Sequence, residues 1–464
     1  MHAFTVIGCG MAGPALALAL ARNGTRVVLL DREPRKAAPD SGRAVNITLC
    51  NRGIEALKKI GLGSEAINRS QPLYGRMIHD RNGSRNFEAY GPNAEALYSI
   101  RRRELRELLV ETAAAHPGVE LISEANCSAI DLEARLLTVE FEPPARPRVL
   151  SFQHLAAADG VNSTVRNCLE KAGYIRTECR NVNLGYRELT IKAEQVTRLA
   201  LERGSLHFWP RGESVLIGFP NLDGSITLSL HMPLSGSPSF DDIATEGALR
   251  DFFAREFPDL AEILPMILTS PPQRQPGRVK CVRCPSWFVG DRVVLVGDAA
   301  HGIIPYYGQG ANAGFEDAAV LADLLAENPK DCGRAFSLFE SKRKADLDFM
   351  SDLCFQHFDL LRSALGTRER QLLSRVEHMI SALTPHRSLY YHISFTELSY
   401  RESHRASQFF HRLAQSALEH LGRTLSEAES DVRDAVSLAL AESFKLENGV
   451  DRPVEPISAG RTAP

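Results

Sequence analysis

The chain opens on alternating blocks of apolar and amphipathic residues. Residues 4–7 are a short apolar run, residues 11–22 are rich in Ala and Leu, and residues 25–31 are again almost continuously apolar. Short runs predict strands and the longer run a helix, together one βαβ unit. Strands apolar on both sides fit a parallel sheet covered on both faces. A second helix is predicted over GIEALKKIGL, ending at Gly61. Over residues 76–90, and again over 183–232, the pattern changes to strand-like alternation. ELTIKAE, SLHFWP, SVLIGFP and SITLSLHMP, separated by Pro-Arg-Gly and Asn-Leu-Asp-Gly, predict antiparallel strands joined by turns. From residue 314 to about 425 the pattern is helical, interrupted near Pro385, and the Pro/Gly-rich polar end is expected to fray. No segment repeats. The expected fold class is α/β: a doubly wound domain, an inserted and mostly antiparallel β-sheet domain, and a C-terminal helical region.

Composition narrows the partners. The chain has 464 residues, too many for one core, with 54 Lys+Arg against 57 Asp+Glu and a net charge of −3. Near-neutrality argues against a nucleic-acid partner, which demands a large cationic footprint. No run approaches the roughly 18 apolar residues of a membrane span. The first residues read as a strand, not as a charged-then-apolar leader. The nine cysteines are odd in number and scattered, as in a reducing compartment, so a cytoplasmic location is expected. Cys281-Val-Arg-Cys284 has no second pair at zinc-ribbon spacing, and no metal is expected. Monomer and homodimer both remain open.

Candidate chemistry begins at VIGCGMAGP, which sets Gly8, Gly10 and Gly13 between a predicted strand and a predicted helix. Gly8 permits a tight turn, Gly10 lets backbone approach a pyrophosphate, and Gly13 lets helix pack on strand. The N–H groups at the helix start then face the phosphates. Asp31 ends the second strand, where a carboxylate binds a ribose diol, and Arg32 beside it offers a local anion site. This is a Rossmann-like dinucleotide signature that serves NAD and FAD equally well.

Two further segments separate those choices. AADGVNSTVR carries Asp159, and VVLVGDAAHGIIPYYGQGANAGFEDA carries Asp298, Pro305, Gly310, Ala311 and Asn312. With the first motif, and in this order, they resemble the single-component FAD-dependent aromatic hydroxylases, with Ala157 in place of that family's usual Gly. The resemblance implies tightly bound FAD, NADPH or NADH as a transient reductant, and O2 and a small aromatic compound as substrates. It implies ring hydroxylation through a flavin C4a-hydroperoxide, with no side chain required as a nucleophile. Asp159 would lie near the flavin and the passing nicotinamide, and Asp298 near the ribityl and pyrophosphate. The implied FAD-binding domain takes residues 1–72, 100–175 and 276–350. The substrate-binding sheet takes 73–99 and 176–275, a helical cap 351–448 and a flexible tail 449–464.

GRAVNITLCNRG, GRMIHDRNG, NLGYRELTI, SLHFWPRG, FPNLDGSITLSL and FFAREFPDL narrow the resemblance to the kynurenine 3-monooxygenase family, without the membrane helix of its eukaryotic members. That likeness implies Arg76 and Tyr90 as the grip on the substrate's amino-acid carboxylate. It implies Arg102 as an FAD contact, and Thr48 and Cys127 as backbone lining the cofactor. It also exposes departures: His357 stands for an Asn of the grip, and Tyr390 or Tyr391 for its second tyrosine. In the pocket, Tyr306 and His231 replace Phe, Phe219 replaces an apolar strand residue, and Ala311 replaces Met. Kynurenine or a close aryl amino acid is the expected substrate. The alternatives are hydroxylation or epoxidation of an indole-, quinoline- or anthranilate-derived metabolite, and a halogenase or reductase on the same fold. A flavoprotein-like binding module without activity is a further one. The two tryptophans, Trp209 and Trp287, do not form the halogenase's Trp-x-Trp segment.

Overall fold

A computed structural model describes residues 3–35, 46–141, 146–263, 265, 275–361, 367–422 and 428–448. The tail over 449–464 and the start of GRAVNITL lie outside the described residues. The apolar runs at the N-terminus form the middle of a six-stranded sheet. Its order is Phe288–Val289, Val293–Leu295, His154–Ala157, Ala3–Ile7, Arg26–Leu30 and Val119–Ile122. All neighbours are parallel except the first pair. Helix Ala12–Arg22 buries nearly its whole circumference, because it packs between this sheet and helix Gly310–Glu327. Parallel strands, buried on both faces, explain why residues 26–30 read as an unbroken apolar run.

A seven-stranded sheet lies in the order Gly277–Arg283, Glu178–Ile191, Ile226–Met232, Ser214–Pro220, Ser205–Arg211, Gly75–His79, Arg85–Ala89. Only Ser205–Arg211 and Gly75–His79 pair in parallel. Gly277–Arg283, assigned from the sequence to the dinucleotide-binding part, pairs instead with Glu178–Ile191. Its alternating pattern allowed either partner, and hydrogen bonding across the sheet edge decides. One face of this sheet carries Trp209, Leu216, Leu228 and Leu230 into a core with Phe252, Phe253 and Phe257. The opposite face looks toward the site described below. Two three-stranded sheets complete the β structure, one of them joining Asn46–Leu49, Leu97–Arg101 and Gln71–Leu73.

The C-terminal helices divide their packing. Arg368–Leu383, Tyr400–Gly422 and Glu429–Asn448 share a core of Val376, Ile380, Phe410, Leu413 and Val436. Leu389, Ile393 and Tyr400 belong instead to the main core. Among the described residues no helix is long and apolar enough to cross a membrane.

Candidate active site

The glycine turn is shaped by contact, residue by residue. Gly8 has φ of +106°, and a Cβ there would stand 2.5 Å from the carbonyl oxygen of Ala158. A Cβ on Gly13 would fall 1.8 Å from the carbonyl oxygen of Gly8. Gly10 differs: its Cβ would meet nothing within 4 Å, and the residue borders a cavity. Asp31 is buried; its Oδ1 accepts from the Glu33 N–H at 2.6 Å and its Oδ2 from the Cys9 N–H. Arg106 donates from Nε to the Cys9 carbonyl at 2.7 Å and lies 3.9 Å from Asp31. Both its Nη atoms are buried without a hydrogen-bond partner among the described residues. A turn that excludes side chains, beside a guanidinium with spare donors, fits a dinucleotide's pyrophosphate and ribose. Arg32 is exposed and faces Glu33 at 3.7 Å, so it is not part of this group.

A cavity of about 310 Å³ continues from the turn. Gly10, Thr48, Arg102, Asp298, Pro305, Gly310 and Ala311 line one part of it, and Phe219, His231 and Tyr306 another. Asp298 opens into the cavity; desolvation by the surrounding protein pushes its carboxyl above the usual range, against the pull of His301 and Arg102. Helix Gly310–Glu327 starts here with no acidic residue in its first turn, so its positive end is free to favour an anion. Asn312 does not face the cavity. Its amide nitrogen donates to the carbonyls of Thr48 (2.9 Å) and Gly308 (2.7 Å), and its oxygen accepts from the Cys50 N–H (3.1 Å). It ties the helix start to strand Asn46–Leu49. Asp159 accepts from the N–H groups of Thr164 and Val165, while its neighbours Ala158 and Gly160 line the cavity. Cys127 is buried in the small sheet, with Sγ 3.9 Å from the Ala129 carbonyl, and does not reach the cavity.

His231 is hydrogen-bonded through Nε2 to Ser229 (2.9 Å) and through Nδ1 to Tyr306 Oη (3.1 Å). Burial pulls its pKa down to about 3, so the ring is neutral at pH 7 and carries one proton between two hydroxyls. Tyr306 stacks on Phe358 at 4.1 Å, and its neighbour Tyr307 lies 4.3 Å from His357.

The other expected substrate contacts gather around Arg76. Its guanidinium sits 4.2 Å over Tyr390, 5.7 Å from Phe208 and 6.0 Å from Tyr90. Tyr390 stacks with Tyr90 (5.8 Å) and with His357 (6.0 Å). Tyr391 turns away and donates to Glu95 at 2.9 Å, so of the two tyrosines Tyr390 is the one in the cluster. His357 is held well below its ordinary pKa by burial and by Arg76 and Arg370. Arg76, Tyr90 and Tyr390 border a second cavity of about 620 Å³, between strand Arg85–Ala89 and the C-terminal helices.

Both groups stand on one face of the seven-stranded sheet. Tyr186 lies opposite His231, Ile217 opposite Ser229, Phe219 opposite Thr227, Leu206 opposite Arg76, and Arg76 opposite Glu88. Arg76 is two strands from Phe219, about 10 Å at the usual strand spacing. Arg106, Tyr186, Ile217, Thr227, Ser229, Tyr307 and Glu88 were not anticipated from the sequence. For Arg106 a signal existed, since it lies four residues after Arg102 and so on the same helix face. The others depend on strand pairing.

Comparison with known proteins agrees with this geometry. Residues 2–340 match the family described as FAD binding domain. Kynurenine 3-monooxygenase from Salinispora arenicola (strain CNS-205) is 34% identical over 407 residues, 86% of this chain and 89% of that one. The Myxococcus xanthus (strain DK1622) kynurenine 3-monooxygenase is 32% identical over 440 residues, 94% of each chain. A crystal structure of 2-methyl-3-hydroxypyridine-5-carboxylic acid oxygenase shares the fold, with a TM-score of 0.66 at 22% identity over 81% of this chain and 97% of that one. The glycine turn, the cavity beside it and these likenesses together mean that the chain belongs to the FAD binding domain family, as an FAD-dependent aromatic monooxygenase of the kynurenine 3-monooxygenase-like kind.

Proposed function

We propose that the enzyme hydroxylates the ring of an aryl amino acid, L-kynurenine or a close relative, at the expense of a nicotinamide nucleotide and O2. The observation that carries this reading is the sheet face with Arg76 at one end, apolar Leu206, Phe208 and Ile217 between, and Phe219 and His231 at the other. The span of about 10 Å from Arg76 to Phe219 suits a carboxylate at one end and an aromatic ring at the other.

Gly10, Thr48, Arg102, Asp298 and Gly310 would hold FAD, which when bound would supply the activation of O2 with reducing equivalents from the nicotinamide. The chain's own residues do the rest. Arg76 takes the carboxylate through its planar fork, with Tyr90 and Tyr390 as hydroxyl donors, and charge-assisted bonds of this kind contribute about 1.5–3 kcal/mol. That anchor sets the ring over Ile217 and Phe219. Holding a reacting carbon in line is a proximity effect that reaches roughly 7–11 kcal/mol. The positive end of helix Gly310–Glu327 stabilises negative charge developing beside it. Tyr306, Tyr307 and Phe358 close the space and exclude water.

Purified holoenzyme given NADPH and L-kynurenine is expected to oxidise NADPH faster and to release a ring-hydroxylated product. If neither occurs, the kynurenine reading is wrong. The hydrogen-bonded wall of Ser229, His231 and Tyr306 favours a second reading, a ring with a hydroxyl or ring nitrogen, such as a quinoline or anthranilate derivative. In the same assay such a ring would outperform kynurenine.

A further inference from the structure

The cavity beside Arg76 holds buried polar atoms that a carboxylate alone does not explain. Nε of Arg76 and Oε1 of Glu88 are each buried without a hydrogen-bond partner among the described residues, and Oη of Tyr90 is buried beside Arg76 and Tyr390 with no close hydrogen bond of its own. All three side chains line the same cavity. Buried polar atoms in folded proteins are paired with protein, water or ligand, so a group of spare ones facing one space marks what that space receives.

The positions of the charges say more. Arg76 and Glu88 are directly opposite across two antiparallel strands, so both side chains leave the sheet on the same face, with Cβ atoms about 5 Å apart. They carry opposite charges, yet Nε and Oε1 both remain unpaired. A ligand offering only a carboxylate would satisfy Arg76 and Tyr90 and set a second negative charge beside Glu88. An α-amino acid carries an ammonium on the carbon next to its carboxylate, and its two charges are complementary to the side-by-side Arg76 and Glu88. The other carboxylates around the cavity suit this task less. Glu377 is held by Arg370 at 2.9 Å, and Glu429 is exposed at the start of the last helix.

We propose that Glu88 binds the substrate's α-ammonium and thereby restricts the enzyme to free α-amino acids with an unmodified amino group. The proposal rests on the reading that Arg76 takes the carboxylate, and it adds a specificity residue to that reading.

The test compares L-kynurenine with its des-amino analogue, 4-(2-aminophenyl)-4-oxobutanoic acid, on the holoenzyme. Binding is followed by perturbation of the flavin absorbance, and KM by NADPH oxidation. Wild type is expected to bind the amino acid at least about 10-fold more tightly than the analogue, the least that one charge-assisted bond gives. Glu88→Gln is expected to weaken kynurenine by that factor and leave the analogue unchanged. Glu88→Asp keeps the charge and should retain most of the preference. Arg76→Ala should weaken both ligands. The analogue is the internal control for folding, since its affinity is read on the same protein. An active wild type whose preference is absent, or survives intact in Glu88→Gln, overturns this proposal alone. Failure of both ligands on wild type overturns the parent reading and this one with it.

Discussion

At the scale of single residues, His231 shows how burial sets a protonation state. It lies between two hydroxyls, those of Ser229 and Tyr306, with no carboxylate among its hydrogen-bond partners, and burial lowers its pKa from 6.5 to about 3. Below pH 6.5 the unfolded chain takes up a proton that the folded chain refuses. This contribution to stability is therefore complete above 6.5 and is lost as pH falls toward 3. His207, lowered to about 3 by burial and by His79, adds to the same loss. Urea midpoints should therefore fall between about pH 7 and about pH 4.5, and His231→Gln, which still bonds to both hydroxyls but does not titrate, should make that fall shallower. An acid-side slope identical to wild type would show that His231 is not held neutral by the fold.

At the scale of elements, the start of helix Gly310–Glu327 depends on a buried charge network about two turns further on. Asp317 accepts from His301 Nε2 at 2.5 Å, from the Gly297 N–H at 3.2 Å and from Arg343 Nε at 2.8 Å. Burial opposes its charge, but His301 and Arg343 hold its pKa at about 2. Arg343 also meets Glu316 at 2.7 Å, and Glu316 meets Arg52 at 2.8 Å. Removing one partner of a buried ion pair costs about 3–5 kcal/mol because the other charge stays buried. Asp317→Asn should lose about that much in urea unfolding and release FAD more readily; a loss within about 1 kcal/mol would mean that the network is solvated. Asp317 lies in the stretch GFEDA, where nothing local distinguishes it from a solvated helix acid. Gly8, Gly10, Gly13 and Asp298 were legible in the sequence because turn chemistry is local, with strand, glycines and helix start following one another along the chain. Strand neighbours were not. Gly75–His79 pairs with Ser205–Arg211, and Gly277–Arg283 with Glu178–Ile191, across separations that alternation cannot encode. Ser229, Ile217 and Glu88 become visible only after that pairing is known.

At the scale of the whole molecule, the C-terminal helices are anchored beside the candidate site. Tyr400 donates to Gln309 at 3.2 Å, and Arg52 reaches the Leu398 carbonyl at 2.6 Å. Tyr390, on the short helix Leu389–Phe395, then touches Arg76, Tyr90, Tyr307 and His357 at once. It packs over the Arg76 end of the sheet face and borders the second cavity. The proposed hydroxylation requires that activated oxygen meet the ring before it is lost to water as H2O2, so a solvent barrier there would matter as much as the grip on substrate. Tyr390→Ala removes that barrier but no residue of the glycine turn or of the cavity wall beside it. FAD content should therefore stay near wild type and substrate KM should rise. The H2O2 released per NADPH oxidised should rise with it, at least about two-fold given that one wall of the dry space is gone. If KM rises while coupling stays at the wild-type value, Tyr390 only holds the substrate, and solvent must be kept out by Tyr307 and by His357 of helix Cys332–Asp359.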